Sequence, residues 1–314
     1  MKNLNLILEQ YSKGDREFKK INLANIRMKG GSLTEIDLSG SDLSCANLTE
    51  VDLKGANFTR CNLKGANLKG CNLVGAIFDG ANLTGANLNN AILTKARFKN
   101  ANLYQVHLTN ADLSGSYCMG ANLTGASMNN SDLSFANFKK SNLSHGFLTG
   151  SNLTETVFHE AILHYASLIG VKLRKTYFKE AEYNSKTLFD ISFKPEQWGM
   201  KKGLDITVAQ VLNSLNYLSK LGSHYLGNSI SVKYWEQSRP DCEWISKFEI
   251  SPKGLVSFQG KLTDTINFFE LKWYQEWITR YINSCSVIFR GFGNLIEPEK
   301  LLIHHSSTQE RIAS

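Results

Sequence analysis

Large apolar residues recur at every fifth position over about half of the chain. From residue 81 the sequence reads ANLTG ANLNN AILTK ARFKN ANLYQ, in which a small residue precedes each Leu or Phe by two positions. We call the large residue the centre of its repeat; centres run without a slip from Leu23 to Tyr183, which makes 33 repeats. A helix would need a period of 3.6 residues and a strand a period of two. The pattern therefore predicts a coil that turns a corner every five residues, with the small residue and the centre pointing inward.

The repeats resemble those of the pentapeptide-repeat family, whose consensus is A-(D/N)-L-x-x. About 165 consecutive residues share this pattern, including the Asn or Asp before most centres. The resemblance implies a mainly β fold, a right-handed quadrilateral β-helix in which four repeats form one coil. About eight such coils, stacked at the β spacing of about 4.8 Å, would form a solenoid roughly 40 Å long.

The spacing of Phe supports a coil of four repeats independently. Centres counted from residue 18 in steps of 20 are Phe at seven of nine places, whereas the other centres are almost all Leu. One side of the coil is therefore predicted to hold an aromatic ladder in its core. The ladder residues are Phe18, Phe58, Phe78, Phe98, Phe138, Phe158 and Phe178. Cys118 interrupts the ladder, and we expect it, like Cys61 and Cys71 at the small-residue position, to be a buried packing residue.

The chain is predicted to have three parts. A short capping helix occupies residues 1–15, the β-helix residues 16–188 and a small α+β domain residues 189–314. All five Trp residues lie in the last part, and this change of composition places the boundary near residue 190. The capping helix is expected to shield the open end of the solenoid.

The last part combines helical and alternating patterns. Apolar residues at helical spacing predict helices at 205–226 and 264–288, and Gly222 and Gly227 are predicted to end the first of them. Three further segments are predicted as strands because they alternate or flank the turn Ser-Pro-Lys-Gly: 229–235, 244–250 and 255–258.

Charge and composition narrow the function. The net charge is +7, and residues 21–188 carry 16 basic and 12 acidic side chains. This mild excess is typical of a solvated surface, so nucleic acid is not the expected partner. No window reaches the ~18 apolar residues of a membrane span, and the first residues lack a secretory signal, which indicates a cytoplasmic protein.

No motif for catalysis, cofactor binding or metal binding is evident. The sequence lacks a P-loop, a dinucleotide glycine motif, a nucleophile elbow, HExxH and C-x-x-C. The histidines at 107, 145, 159 and 164 fall on or near the coil surface, and no two of them are expected to converge on a carboxylate. We therefore predict a non-enzymatic protein with no catalytic, cofactor-binding or metal-binding residues.

Aromatic residues at outward positions indicate a binding surface. Beyond residue 100 the outward positions change from mainly polar to partly apolar. The candidate protein-binding surface consists of Tyr104, Tyr117, Phe135, Phe147, Tyr165 and Tyr177 on the coil, with Trp273 and Trp277 on the last helix. Either the C-terminal domain folds back and covers the apolar positions, or a partner protein binds there.

Three functions remain open, and the first is favoured. The coil is a rigid scaffold for protein–protein interaction, with a regulatory role implied by the family resemblance and a homodimer through the C-terminal domain as one arrangement. Some family members mimic DNA and bind DNA gyrase, but the positive charge of residues 21–188 disfavours that alternative. Direct nucleic-acid binding would use the basic clusters at 95–99 and 172–179.

Overall fold

The structure is a computed structural model that describes residues 4–203, 205–266, 268–297 and 300–301. It divides into two compact units, Met1–Gly203 and Leu204–Ser314, which we describe separately. The division falls after residue 203 rather than at the predicted position 188, because Phe189, Phe193 and Met200 belong to the core of the first unit. Residues 1–3 of the predicted capping helix lie outside the described residues.

Helix α1 (Leu4–Ser12) lies before the first coil. Its Ile7 is buried in the same core as the repeat centres. The Tyr11 hydroxyl donates to the carbonyl of Thr34 at 3.0 Å, and the Arg16 guanidinium lies 3.9 Å from the centroid of the Tyr11 ring. These contacts hold the helix against the start of the coil.

The repeats form a coil that completes one turn in every four repeats. The residue before each centre is joined by a parallel β-bridge to the equivalent residue four repeats later, as in the run Asn62, Asn82, Asn102. Four such ladders, one for each repeat of a coil, run along it. The N–H of each centre donates to the carbonyl of the residue just before the next centre in its column, for example from Phe58 to Ile77 at 2.7 Å. Each coil is therefore hydrogen-bonded in register to the next. One coil contains 20 residues, which is the period that the Phe spacing predicts.

Each repeat turns at the two residues after its centre. The second of them has a positive φ in most repeats, for example 57° at Arg60. A Cβ at Gly120 would lie 2.4 Å from Oδ1 of Asn100, so a larger residue at this corner would require the Asn100 side chain to move. Asn or Asp before the centre stabilises the turn because its side-chain oxygen accepts a hydrogen bond from the N–H two residues on, as Asp42 does from Ser44 at 2.9 Å. This hydrogen bond explains the polar position of the repeat.

The Phe centres stack in two runs inside the coil. Neighbouring ring centroids lie 4.9–5.3 Å apart and the rings are nearly parallel, in the runs Phe58–Phe78–Phe98 and Phe138–Phe158–Phe178. Cys118 separates the two runs; it is fully buried and hydrogen-bonded to the hydroxyl of Ser116 at 3.6 Å. Val106, where the same column otherwise holds mainly Ala, adds volume to the core near this level. Phe18 is also buried, in the first coil.

Polar residues at the small-residue position bond to the preceding coil. The thiol of Cys61 donates to the carbonyl of Leu38 in that coil, at 2.8 Å. Cys71 and Ser151 make the equivalent bond. The predicted burial of Cys61, Cys71 and Cys118 is confirmed. The hydrogen bond explains why Cys, Ser and Thr are tolerated where Ala is usual, because the buried donor has an acceptor.

The coil ends in an aromatic cap. Its regular elements are β1 (Ser167–Leu168), β2 (Glu182–Tyr183), β3 (Leu188–Phe189), a 3-10 helix (Pro195–Trp198) and β4 (Lys201–Lys202). β1 pairs with β3 and β2 with β4, both parallel, which continues the ladders of the coil. Phe193 and Trp198 pack edge-on against the last ladder ring, Phe178, each at 5.9 Å. The Asp190 carboxylate accepts a hydrogen bond from the N–H of Gly170 at 3.0 Å, which takes the place of a further coil.

The second unit is mainly helical. Its elements are α2 (Val208–Leu226), α3 (Asn228–Ser238), α4 (Glu243–Ser246), β5 (Phe248–Ile250), β6 (Val256–Phe258), α5 (Phe268–Ile288) and a 3-10 helix (Phe292–Leu295). β5 and β6 form an antiparallel hairpin. Trp235 of α3 stacks on Tyr281 of α5 with ring centroids 3.7 Å apart, at the centre of the core. No helix in the described parts of the chain is both long and apolar enough to cross a bilayer.

Three predictions for the second unit are wrong. Residues 229–235 lie in α3 rather than in a strand, because the buried residues Ser231, Trp235 and Ser238 recur at helical spacing within a locally alternating sequence. Residues 244–246, predicted as strand, lie in α4. Gly222 does not end α2 but lies inside it, where a Cβ would come 1.8 Å from the Tyr281 hydroxyl.

Replacing a ladder ring by Ala is expected to destabilise the coil strongly. Phe78→Ala removes a fully buried ring stacked on both neighbours, and the cavity should lower the free energy of unfolding by about 3–5 kcal/mol. Phe135→Ala is the matched control, because that ring is 59% exposed and its loss should cost less than about 0.5 kcal/mol. Denaturant unfolding followed by circular dichroism measures both. Equal costs for the two variants would contradict the ladder.

The buried thiols are expected to be unreactive in the native protein. Burial raises the pKa of Cys61 and Cys71 to about 11 and that of Cys118 to about 12, so these thiols stay protonated at mildly alkaline pH. Cys45 is exposed. Iodoacetamide should alkylate Cys45 readily and the three buried thiols only after unfolding, as followed by peptide mass spectrometry. Rapid alkylation of native Cys118 would show that the coil opens at this level.

Candidate protein-binding surface

The outward side chains lie on four sides of the coil, which we name by their central columns. The Phe side is centred on the aromatic ladder, and the second, third and fourth sides follow in chain order, centred on the columns of Leu63, Leu68 and Leu73. The third side is opposite the Phe side. Residues four repeats apart stack in columns on one side, so the sequence number of a residue determines its side.

The aromatic residues of the predicted surface fall into two groups on different sides. Tyr117 and Tyr177 lie on the Phe side and Phe135 at the corner that leads into it, with exposed fractions of 52%, 47% and 59%. In the other group, Tyr104 lies on the second side and Tyr165 at the corner between the second and third sides. Phe147 lies on the third side. The structure therefore does not bring all six residues together.

The second group is partly engaged by its own neighbours. Tyr165 stacks on His145 of the preceding coil, with centroids 4.5 Å apart and an angle of 7° between the rings. Burial lowers the pKa of His145 to about 4, with a smaller contribution from the charge of His164. The His145 ring is therefore neutral near pH 7. Burial also raises the pKa of Tyr104, which is half-buried.

The two candidate Trp residues lie on α5, and one of them is not at the surface. Trp277 is fully buried, and its Nε1 donates to the carbonyl of Trp235 at 3.1 Å. Its assignment to a binding surface is wrong, because Tyr274, Trp277 and Tyr281 form the buried face of the helix. Trp273 is partly buried against the same core.

Sequence reasoning named several outward residues of the Phe side but did not group them, and it missed Met119 and Lys139. Met119 is 38% exposed beside Tyr117 on the same coil, and Val157 is partly exposed. From residue 97 to 179 the column before the centres reads Arg97, Tyr117, Asn137, Val157, Tyr177, and the column after them reads Lys99, Met119, Lys139, His159, Lys179. These ten positions combine apolar and basic side chains without a carboxylate. Sorting the outward positions by coil would have found this set.

Side chains before and after a centre meet across neighbouring coils. Arg97 pairs with Asp79 at 2.5 Å, and Nε2 of His164 lies 3.5 Å from Oε2 of Glu182. His159 contacts Glu160 at 2.7 Å, so two histidines each have a carboxylate neighbour, which the sequence did not indicate. Within the described residues no group of three His, Cys, Asp or Glu side chains could hold a metal ion. The chemistry of this surface is therefore that of ion pairs and exposed rings.

Solved structures similar to the chain are pentapeptide repeat proteins. HetL, a protein involved in heterocyst differentiation regulation from Nostoc sp. strain PCC 7120, is 29% identical; the match covers 58% of this chain and 94% of HetL, with a TM-score of 0.27. Full-length QnrB1, a plasmid-mediated fluoroquinolone resistance protein, is 18% identical over 56% of this chain and 94% of its own, with a TM-score of 0.42. Rfr23 from the cyanobacterium Cyanothece 51142 is 22% identical, and the match covers 60% of this chain and 100% of Rfr23, with a TM-score of 0.23. A search of curated proteins gave no match.

The sequence profile of pentapeptide repeats matches this chain in eight copies. The matched segments are 21–60, 61–100, 81–117, 116–154 and 148–179. Together they span residues 21–179, just over half of the chain, and coincide with the residues that form the ladders of bridges. The chain belongs to the pentapeptide repeat family.

Proposed function

We propose that the protein is a non-enzymatic scaffold for protein–protein interaction, built on a right-handed quadrilateral β-helix. The observation that carries the proposal is the exposure of large apolar side chains on the outside of a regular coil. Four of them are 47–59% exposed: Tyr117, Phe135, Phe147 and Tyr177. Aromatic side chains at protein surfaces are typical anchors of protein interfaces, because each can bury a large apolar area in a partner.

The coil supports this role by holding the exposed rings in fixed positions. Both backbone groups of Tyr117 are bonded to the preceding coil, its N–H to Ala96 at 2.9 Å and its carbonyl to Phe98 at 2.7 Å. A residue on such a backbone loses little backbone freedom when a partner binds, so only its side chain has to be ordered. More of the contact energy is therefore retained as affinity.

The cysteines support an intracellular scaffold rather than a disulfide-bonded extracellular one. All six are free thiols. Structural disulfides are common in oxidising compartments and rare in the reducing cytosol. We therefore propose that the protein acts in the cytoplasm.

The charge of the Phe side argues against a DNA mimic. A mimic must present negative charge in place of phosphates. The two outward columns of the Phe side hold Arg97, Lys99, Lys139 and Lys179, with no carboxylate between residues 97 and 179. This side would repel a protein surface that is built to bind DNA.

Removing the exposed rings is expected to remove the protein partner. The variant combines Tyr117→Ser, Phe135→Ser, Phe147→Ser and Tyr177→Ser, which leaves the buried core intact. In affinity capture from the native cell with quantitative mass spectrometry, proteins enriched by the wild-type chain should fall by at least about tenfold with the variant. The control variant changes the exposed residues Lys54, Lys64, Lys69 and Lys95 to Ser at outward positions and should retain these proteins. Retention of the same proteins by both variants would count against the proposal.

DNA gyrase should be unaffected by the purified full-length protein. We expect unchanged supercoiling at low micromolar protein, because the Phe side is basic where a mimic would be acidic. A supercoiling assay with and without a quinolone measures this. Inhibition of gyrase, or protection from the quinolone, would favour the DNA-mimic alternative.

A further inference from the structure

We infer that the Phe side, from Arg97 to Lys179, docks an acidic protein segment that also carries apolar side chains. The inference rests on the proposed scaffold function and specifies the side of the coil and the chemistry of the partner. It is drawn from the distribution of charge among the four sides, from the ion pairs that neutralise the corners and from the order of residues along the Phe side.

Charge is segregated among the sides in this half of the coil. The ten positions that flank the Phe-side centres hold four cationic side chains and no carboxylate: Arg97, Lys99, Lys139 and Lys179. The equivalent positions of the third side, from 107 to 169, hold no Lys, Arg, Asp or Glu, and those of the second side hold one charge, at Glu182. The fourth side carries charges of both signs, Asp112 and Asp132 in its earlier coils and Lys172 and Arg174 in its last coil. The Phe side is therefore the one side of this half of the coil whose flanking positions carry several charges, all of them positive.

The lysines of this strip are available to a partner. Arg97 is paired with Asp79, but Lys99, Lys139 and Lys179 form no ion pair with any residue that the structure describes. The carboxylates at the corners of the Phe side form three ion pairs with residues outside the strip: Glu155–Lys175, Glu160–Lys140 and Glu180–Lys201. Of the strip residues, all of which the structure describes, only His159 contacts one of these carboxylates, Glu160.

Lys99 and Lys179 are exposed and Lys139 is partly exposed. Glu160 and Glu180 lie near enough to interact with Lys139 and Lys179, but each of these carboxylates is ion-paired with another lysine. The strip therefore keeps a positive charge that would attract a carboxylate-bearing segment.

Apolar and cationic residues alternate along the strip. Tyr117 and Met119 lie on the coil between Lys99 and Lys139, and Val157 lies on the coil between Lys139 and Lys179. At about 4.8 Å per coil the lysines recur every ~10 Å. Two helical turns rise about 11 Å, and three residues of a strand about 10 Å. An acidic segment in either form, laid along the coil, can place a carboxylate against each lysine and an apolar side chain on each band between them.

The residues of the bands favour protein over single-stranded nucleic acid. Bases stack on aromatic faces, whereas two of the apolar side chains, Met119 and Val157, are aliphatic. Tyr117 and Tyr177 are separated by three coils, about 15 Å, which is too far for successive bases. A mixed aliphatic and aromatic strip with charged edges is typical of the core and rim of a protein interface.

Peptide selection against the full-length protein tests the inference. Phage-displayed random peptides are selected on the wild-type chain, and the dissociation constants of the synthesised peptides are measured by fluorescence anisotropy. The selected peptides should be acidic and contain Leu, Ile or aromatic residues. The variant Lys99→Glu, Lys139→Glu, Lys179→Glu should bind them at least about tenfold more weakly, and raised salt should weaken binding to the wild type.

A charge-matched variant is the control. Lys54→Glu, Lys64→Glu, Lys69→Glu changes the net charge by the same amount at the same position of the repeat, but on the fourth, second and third sides, where all three lysines are exposed. It should bind the selected peptides like the wild type. The double variant Tyr117→Ser, Met119→Ser should also weaken binding, whereas Ile92→Ser, which removes an apolar side chain 45% exposed on the fourth side, should not.

The outcomes separate this inference from the scaffold proposal. Selected peptides that bind the Phe-side lysine variant as tightly as the wild type would overturn the inference and leave the scaffold proposal standing, because another surface would then bind them. Failure to select any peptide would also overturn the inference. If fluorescein-labelled oligo(dT) then binds the wild type but not the Phe-side variant, the strip binds nucleic acid instead of protein.

Discussion

The backbone hydrogen bonds between successive coils are the constraint on which the rest of the first unit depends. Because each centre donates to the carbonyl just before the next centre in its column, the side and level of every residue follow from its number. The core can then use one residue type per column, and the Phe rings stack at nearly the spacing of the coils. The second residue of each corner mostly has a positive φ. The Asn or Asp before the centre stabilises the turn because its outward side chain accepts a hydrogen bond from the backbone of the corner.

The coil of the first unit could be predicted from the sequence because the same hydrogen bonds between coils recur in every repeat. Each copy of the pattern confirms the others, so the inward positions and the buried cysteines follow from the spacing. The Phe spacing supports the four-repeat coil that the family resemblance implies. In the second unit each segment occurs once. The stretch around Ser231 alternates locally, yet its burial is helical because Trp235 and Tyr281 must meet in the core. Gly222 looks like a helix stop, but its small size serves the packing of that same Tyr281.

The candidate surface was predicted only in part, for a related reason. Exposed aromatic residues can be read from the sequence as departures from the polar pattern, but chain order does not show which of them share a side. Tyr117 and Phe147 are separated by six repeats, one and a half coils, and therefore face opposite directions. Trp277 could not be placed without knowing which face of α5 the other helices cover. Charge pairs such as Arg97 with Asp79 depend on contact between coils and have no local signal.

Because of the ladder of bridges, the side on which a residue lies depends on the number of repeats that precede it. Loss or duplication of four consecutive repeats between Phe58 and Phe178 would move every later side chain by one coil and keep it on its side. A change of one, two or three repeats would rotate the remainder by as many sides and disperse any strip of matched residues. A lineage that retains a binding side can therefore change its length only in steps of a full coil, while single substitutions on that side leave the interior untouched.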